Sequence, residues 1–230
     1  MKILNLFPSS VIQDKILINQ NIKKEMIEEI ETMVLNSKNK DDKGDQDSWT
    51  GDTQGFEYIF KNKKFSLLLQ EIKKTTIKYI NHLGIDDNKI DMYMNRSWAT
   101  VSYGKEKILP HKHKQSHISF AYYLKKETQD SNIMFYDEHF QNEIIPGLFT
   151  SRTARAGGVL KEMNFFNASS IDIKIEEDDI LVFPSKSLHG TQPNKLNSGR
   201  ISISGDIVCV AKDSELLENM MPPINNWDKL

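Results

Sequence analysis

Two histidines separated by one residue, His111 and His113, open the run HKHKQSH, and a third, His189, stands far along the chain just before GTQPN. Neutral imidazole is a common metal ligand. On an extended segment, side chains at i and i+2 point to one face, where both rings can reach a single ion. A third imidazole from a distant segment would complete a set that leaves coordination positions open, as a catalytic metal requires. The same run also suits a polar turn that holds its histidines by chance, and His-x-His alone does not separate the two.

Arg200 is the second candidate. It opens RISIS, a strictly alternating segment. A buried arginine needs a partner, because an unpaired buried charge is costly. The partner is either a carboxylate of the protein or a carboxylate of a ligand held bidentately. Ser202 and Ser204 share the Arg200 face at period two, so that face is expected to be polar and to line a cavity. The apolar run 180–183 leads through a Pro-Ser turn to His189. This layout places a metal ligand and a carboxylate anchor on neighbouring strands.

The elements that must position these residues follow from periodicity. Residues 1–19 read as extended, with a turn at Pro8-Ser9-Ser10. Residues 21–36 and 64–83 read as amphipathic helices, with Asn21 as a cap of the first and Gly84 ending the second. Between them, 37–55 is a polar loop whose Trp49 either pins it to the body or lines a site. From 90 to 210 the pattern changes to short strands and turns: 90–101, 118–124, 133–136, 171–175 and 180–183, then the strand at Arg200. Residues 137–170 lack periodicity, and so long an irregular loop suits a lid or a binding loop. Its Arg152 and Arg155 either contact substrate or face solvent. The tail is expected to carry a short helix over 214–220. The fold class is therefore α+β and mainly β, a β-sandwich or jelly-roll core braced by N-terminal helices. One domain spans 1–230, with helical support over 1–89, core over 90–210 and tail over 211–230.

Composition narrows the function classes. The net charge of −2 offers no electrostatic case for nucleic acid or an anionic membrane. The one cysteine, Cys209, excludes a disulfide framework within the chain and favours a reducing, cytoplasmic compartment. No apolar stretch approaches the ~20 residues of a membrane span. The first residues lack a signal-peptide cleavage site, and Pro8 interrupts their apolar run.

Taken together, these motifs resemble the Fe(II)- and 2-oxoglutarate-dependent oxygenases with a double-stranded β-helix core. The segments LFPSSV, SWATVSYG, HKHKQSHISFAYYL and ILVFPSKSLHGTQPN followed by RISIS are similar to an uncharacterised microbial and viral branch of that superfamily. The layout is also similar to prolyl hydroxylases, where a His-x-Asp precedes a Tyr-Tyr-Leu strand and a distal histidine precedes a basic cosubstrate-binding residue. The resemblance covers roughly 93–208.

The resemblance implies that His111 and His189 ligate iron and that Arg200 pairs with the distal carboxylate of 2-oxoglutarate. It implies that Tyr123 hydrogen-bonds the same carboxylate and that Tyr103 lies beside the cosubstrate, with Ser202 in the same pocket. Either tyrosine also suits ordinary packing. The superfamily's acidic ligand position is occupied here by His113. Either the ligand set is His111, His113 and His189, or an acid comes from elsewhere, Asp137 being the nearest candidate, or His113 stands behind the metal. His117 reads as a rim residue, and His82 and His139 as surface positions. The implied activity is a dioxygenase that hydroxylates a peptidyl substrate, prolyl among the options, or a small molecule. It would consume 2-oxoglutarate and O2 and release succinate and CO2, with ascorbate as an optional reductant. The alternative is a cupin-like metal enzyme, or a binding protein, that does not use 2-oxoglutarate; a cupin has no evident use for Arg200.

Overall fold

The computed structural model describes residues 1–37, 47–213 and 218–230. Two antiparallel sheets form the body. The larger contains six strands in the order β1-β7-β4-β9-β3-β2, and the smaller three in the order β6-β5-β8. The strands are β1 (Ile12–Lys15), β2 (Trp49–Thr50), β3 (Ile90–Ser102), β4 (Ile118–Lys125), β5 (Ile133–Tyr136), β6 (Ser170–Ile173), β7 (Asp179–Pro184), β8 (His189–Thr191) and β9 (Arg200–Ala211). The helices are α1 (Gln20–Leu35), α2 (Ser66–His82) and the short α3 (Arg152–Ala156).

Period-two alternation divides the large sheet into two faces with different tasks. Phe120, Tyr122 and Leu124 of β4, Ile180 and Val182 of β7, and Ile201 and Ile203 of β9 point one way. There they form one apolar cluster with Met26, Ile30 and Met33 of α1 and Leu68, Ile72, Tyr79 and Ile80 of α2. The other face turns toward the small sheet. Ala121 and Tyr123, with Leu181 and Phe183, pack there against Ile133 and Ile175. On the same strands both faces are thus removed from water, and β4, β7 and β9 are almost wholly buried along their length. The second face of β9 carries Arg200, Ser202 and Ser204, so the polar side of the sheet faces inward toward the second sheet.

The helix ends show how local chemistry sets the boundaries. Asn19, two residues earlier than the expected Asn21, caps α1, and its side chain accepts from the Asn21 N–H at 2.9 Å. Gly84 follows α2 with φ of +77°, the left-handed conformation that glycine adopts without cost. The Ile85 N–H then reaches back to the Ile80 carbonyl and the Gly84 N–H to that of Asn81, each at 3.0 Å, closing the helix in a Schellman arrangement. Trp49 both pins and lines. Its Nε1 donates to Ser37 Oγ at 2.8 Å, and Ser37 donates in turn to the Met33 carbonyl at the end of α1.

Of the expected polar loop, 38–46 lie outside the described residues, and the remainder contains β2 and a 3-10 turn over Gly51–Thr53. Of the expected tail helix, 214–217 lie outside them as well, and 218–220 form a turn and a bend. Residues 137–169 hold a single short helix, α3, and are otherwise irregular. Among the described residues, no helix is long and apolar enough to cross a membrane.

Candidate active site

The three histidines meet, though not by the route the spacing suggested. His111 is joined to His189 by an isolated antiparallel bridge: the His111 N–H donates to the His189 carbonyl at 2.9 Å and the His189 N–H returns the bond at 3.0 Å. His113 is held separately, its N–H donating to the Ser185 carbonyl at 3.0 Å. The expectation of His-x-His on a regular strand is therefore corrected. Residues 112–117 are a loop, and Pro110 together with the following polar run supports no ladder there. The expectation that His189 and Arg200 lie on neighbouring strands is corrected too. His189 begins β8 of the small sheet and Arg200 begins β9 of the large one, so the two residues come from different layers.

The ring nitrogens are fixed by their partners. His111 Nδ1 lies 2.8 Å from the Leu109 carbonyl and His189 Nδ1 2.9 Å from the Ser187 carbonyl. A carbonyl only accepts, so each Nδ1 carries the proton and each Nε2 keeps its lone pair. His113 Nδ1 lies 2.5 Å from a carboxylate oxygen of Asp206. The three rings stack and tilt on one another with centroids 4.4 to 5.2 Å apart. One nitrogen from each lies within 4.8 Å of the other two. Nitrogens that share a transition ion at about 2.1 Å in tetrahedral or octahedral geometry are roughly 3.0–3.4 Å apart, so side-chain rotations that move the ring nitrogens by up to about 1–2 Å close the group around a metal.

Electrostatics favour the ligating form. Burial lowers the pKa of His189 to about 3, and the neighbouring His111 adds to the effect. Burial also holds the His111 pKa below its ordinary value. At neutral pH both rings are neutral bases. Asp206 is fully buried. Burial pushes its carboxyl upward, but the hydrogen bonds and charges of His113, the Ser119 hydroxyl and Arg96 outweigh this, and it sits below the usual carboxylate range.

The histidines line a cavity of about 970 Å3 that also exposes Arg200, Ser202, Ser204, Tyr123 and Tyr103. Arg200 is 1% exposed. Its Nη1 donates to the Ser131 carbonyl at 2.9 Å and to the Ser131 hydroxyl at 2.8 Å, and its Nη2 to the Ser102 hydroxyl at 3.0 Å. Its Nε is buried with no hydrogen-bond partner. Among the described residues no carboxylate forms an ion pair with it; the hydrogen-bond partners of the guanidinium are neutral, and the buried Asp130 acts on its charge without contacting it. Tyr123, 2% exposed, stands across from Ser202 on β4, and burial raises its phenol to about 12. Tyr103 is half exposed at the rim and packs against Gly199.

The remaining candidates fall elsewhere. Asp137 is exposed, accepts the His139 N–H at 2.9 Å, and lies outside the histidine group and the cavity lining. His117 accepts the Cys209 N–H at 3.0 Å, and His82 and His139 are exposed. Arg155 donates to the Phe149 carbonyl at 2.8 Å within its own loop. Asp206 was not foreseen, although 200, 202, 204 and 206 share one parity. The alternation was expected to end with ISIS at Gly205, whereas β9 continues to Ala211.

Gly190 allows the bridge between the two histidine segments. A Cβ there would meet the Ile108 carbonyl oxygen at 2.8 Å and the Pro110 nitrogen at 3.1 Å, both backbone atoms that cannot turn aside. Gly190→Ala is therefore expected to push 108–111 away from His189. Mn(II) affinity, read by calorimetry, should fall about tenfold or more, while the circular dichroism of the metal-free protein stays unchanged. An unaltered affinity would show that the bridge does not set the ligand geometry.

Residues 96–206 match a family model described as "Putative 2OG-Fe(II) oxygenase". No curated protein sequence matches the chain. Among solved structures, HygX from Streptomyces hygroscopicus with nickel and 2-oxoglutarate bound is similar, with a TM-score of 0.52 at 10% identity over 87% of this chain and 83% of that one. The α-ketoglutarate-dependent carbocyclase SnoK from nogalamycin biosynthesis gives 0.55 at 9% identity over 94% and 89%. The epimerase SnoN from the same biosynthesis gives 0.55 at 9% identity over 96% and 88%. These likenesses are of fold. The matched segment begins at Arg96, midway along β3, and closes on Asp206, and so encloses the three histidines and the buried arginine; over this segment the chain is similar to the 2OG-Fe(II) oxygenases.

Proposed function

We propose that the chain is a single-domain Fe(II)- and 2-oxoglutarate-dependent dioxygenase that hydroxylates an organic substrate, its two sheets forming a double-stranded β-helix braced by α1 and α2. The observation that carries this reading is the fully buried Arg200, unpaired with any acid among the described residues, in the same cavity as three histidines whose Nε2 lone pairs are free. A buried guanidinium with no carboxylate in direct contact is costly, and a ligand carboxylate is the partner that offsets the cost.

The residues present fit the metal and the cosubstrate. Three neutral imidazoles suit a divalent transition ion, and His111, His113 and His189 would hold it. Arg200, with Tyr123 as a hydroxyl donor and Ser202 beside it, would hold the distal carboxylate of 2-oxoglutarate. Bound iron and 2-oxoglutarate together supply the oxidising chemistry, with O2 consumed and succinate and CO2 released. The chain's own part is positional. The Leu109 and Ser187 carbonyls fix the His111 and His189 tautomers, so that no proton must leave an Nε2 when the metal arrives. The apolar packing of Phe183 against His189, edge to face at 4.8 Å, excludes water from the back of the site. Trp98 and the Arg96–Asp52 pair flank the His113 side of the cavity and form the wall that a substrate meets. The cavity volume of about 970 Å3 accommodates 2-oxoglutarate and part of a peptidyl or small-molecule substrate.

The test is calorimetry of the purified protein, first with Mn(II) and then with 2-oxoglutarate, without oxygen. One Mn(II) and one 2-oxoglutarate per chain are expected, with the second dependent on the first. Aerobic incubation with Fe(II), ascorbate and 2-oxoglutarate should then yield succinate. Metal binding with no 2-oxoglutarate binding would favour the cupin-like alternative and sink the oxygenase reading.

A further inference from the structure

We propose that Asp206 is a positioning residue for the metal centre: it fixes the His113 tautomer and places, one imidazole away from the ion, the negative charge that three histidine ligands lack. This rests on reading the three histidines as ligands.

Asp206 is fully buried on β9, on the face that carries Arg200 and Ser202. Its Oδ1 lies 2.5 Å from His113 Nδ1 and accepts from the Ser119 hydroxyl at 2.8 Å, and its Oδ2 accepts from Gln115 Nε2 at 3.1 Å. The donors behind it run in one direction. Ser116 donates to Ser185 at 2.9 Å; Ser119 spends its one hydrogen on Asp206, so the 2.8 Å bond between Ser185 and Ser119 has Ser185 as donor. Ser119 and Gln115 therefore each give Asp206 a hydrogen to share, one on each carboxylate oxygen. That arrangement holds the carboxylate ionised. An ionised carboxylate only accepts, so His113 Nδ1 must carry a proton and Nε2 is directed to the other side.

His111 and His189 receive the same orientation from neutral carbonyls. His113 alone receives it from an acid. The difference has a chemical consequence, because a carboxylate behind a ligating imidazole raises the basicity of the nitrogen facing the metal. It also explains a burial that is otherwise unfavourable. Arg96 is engaged with Asp52 at 2.5 Å, and the group in closest contact with Asp206 is the His113 ring. A divalent ion on the far side of His113 would compensate the buried anion through the imidazole.

The experiment measures Mn(II) and Co(II) affinity of the full-length protein without 2-oxoglutarate, for the native chain and for Asp206→Asn. Asparagine keeps the shape and can still accept from Nδ1, but it removes the charge. Affinity is expected to fall about 10- to 100-fold. If the native chain binds both ions and the variant binds them equally well, the role of Asp206 falls while the ligand reading stands. If the native chain binds neither ion, the ligand reading falls and this inference with it. A second measurement needs no variant: nitrogen NMR of His113 in the metal-free native protein should show a proton on Nδ1, and an unprotonated Nδ1 overturns the proposal. So does a metal-soaked crystal in which an Asp206 oxygen contacts the ion directly.

Discussion

Arg200→Met should weaken 2-oxoglutarate binding by at least about 30-fold while leaving the metal-free protein at least as stable as the native one. The two halves of this expectation come from the same physics. Truncating one partner of a buried charge pair costs about 2–5 kcal/mol, which for the bound cosubstrate corresponds to a loss of affinity of roughly 30-fold to several thousand-fold. In the metal-free protein the guanidinium has no anionic partner among the described residues and an unsatisfied Nε. Replacing an uncompensated buried charge by an apolar side chain of similar length is then neutral or stabilising. The measurement is 2-oxoglutarate titration of the Mn(II)-loaded variant beside its thermal melt. A structural arginine would give the opposite pattern, a lowered melting temperature with cosubstrate affinity retained. Mn(II) affinity itself should not change, since Arg200 lies outside the histidine group.

His189→Ala should remove tight metal binding. Outer partners of metal ligands are worth about 10- to 100-fold in affinity, and loss of a direct ligand should exceed that, so a fall of at least about 100-fold in Mn(II) or Co(II) affinity is expected. His189 is also the residue through which the bridge to His111 passes and the ring against which Phe183 packs. Some stability is therefore lost with it. His189→Gln, which keeps more of the volume, separates the two effects: it should melt closer to the native protein and still bind metal poorly. His82→Ala, an exposed histidine on α2, serves as the control and should leave affinity unchanged. Metal affinity that survives both His189 variants would remove this residue from the ligand set.

The parts of the site that were legible in the sequence are those whose signal is local. Arg200, Ser202 and Ser204 declare a polar face because side chains on a strand alternate, and the face is indeed turned inward. The long helices were legible from their apolar spacing, to within two residues at each end. What escaped is what depends on distant partners or on short elements. β8 has three residues, too few for any period to show. β1 is four residues long and half exposed, and only its pairing with β7 makes it a strand. Lys23 lies on the apolar face of α1 and is 3% exposed. It is neutralised by Glu177 and by Asp178, the latter at 2.9 Å, residues more than 150 positions away that no helical pattern can announce.

Asp206 is the instructive omission. Its parity with Arg200 is readable, yet Asp137, just after the strand at 133–136, is the acid that local sequence offers as a direct replacement for the missing carboxylate. The fold supplies the acid behind His113 instead, through the pairing of Ser119 with Asp206 across β4 and β9. A pairing between strands separated by 87 residues is a fact of register, not of local sequence.

The central claim is that one divalent ion and one 2-oxoglutarate occupy the space between His111, His113, His189 and Arg200. Crystals grown without oxygen in Mn(II) and 2-oxoglutarate, with diffraction recorded at the manganese edge, test it directly. The expected map shows a single anomalous peak at the three Nε2 atoms and a dicarboxylate whose far end meets the Arg200 guanidinium, Nε included. A peak elsewhere, or a bound 2-oxoglutarate that leaves Arg200 untouched, would contradict it.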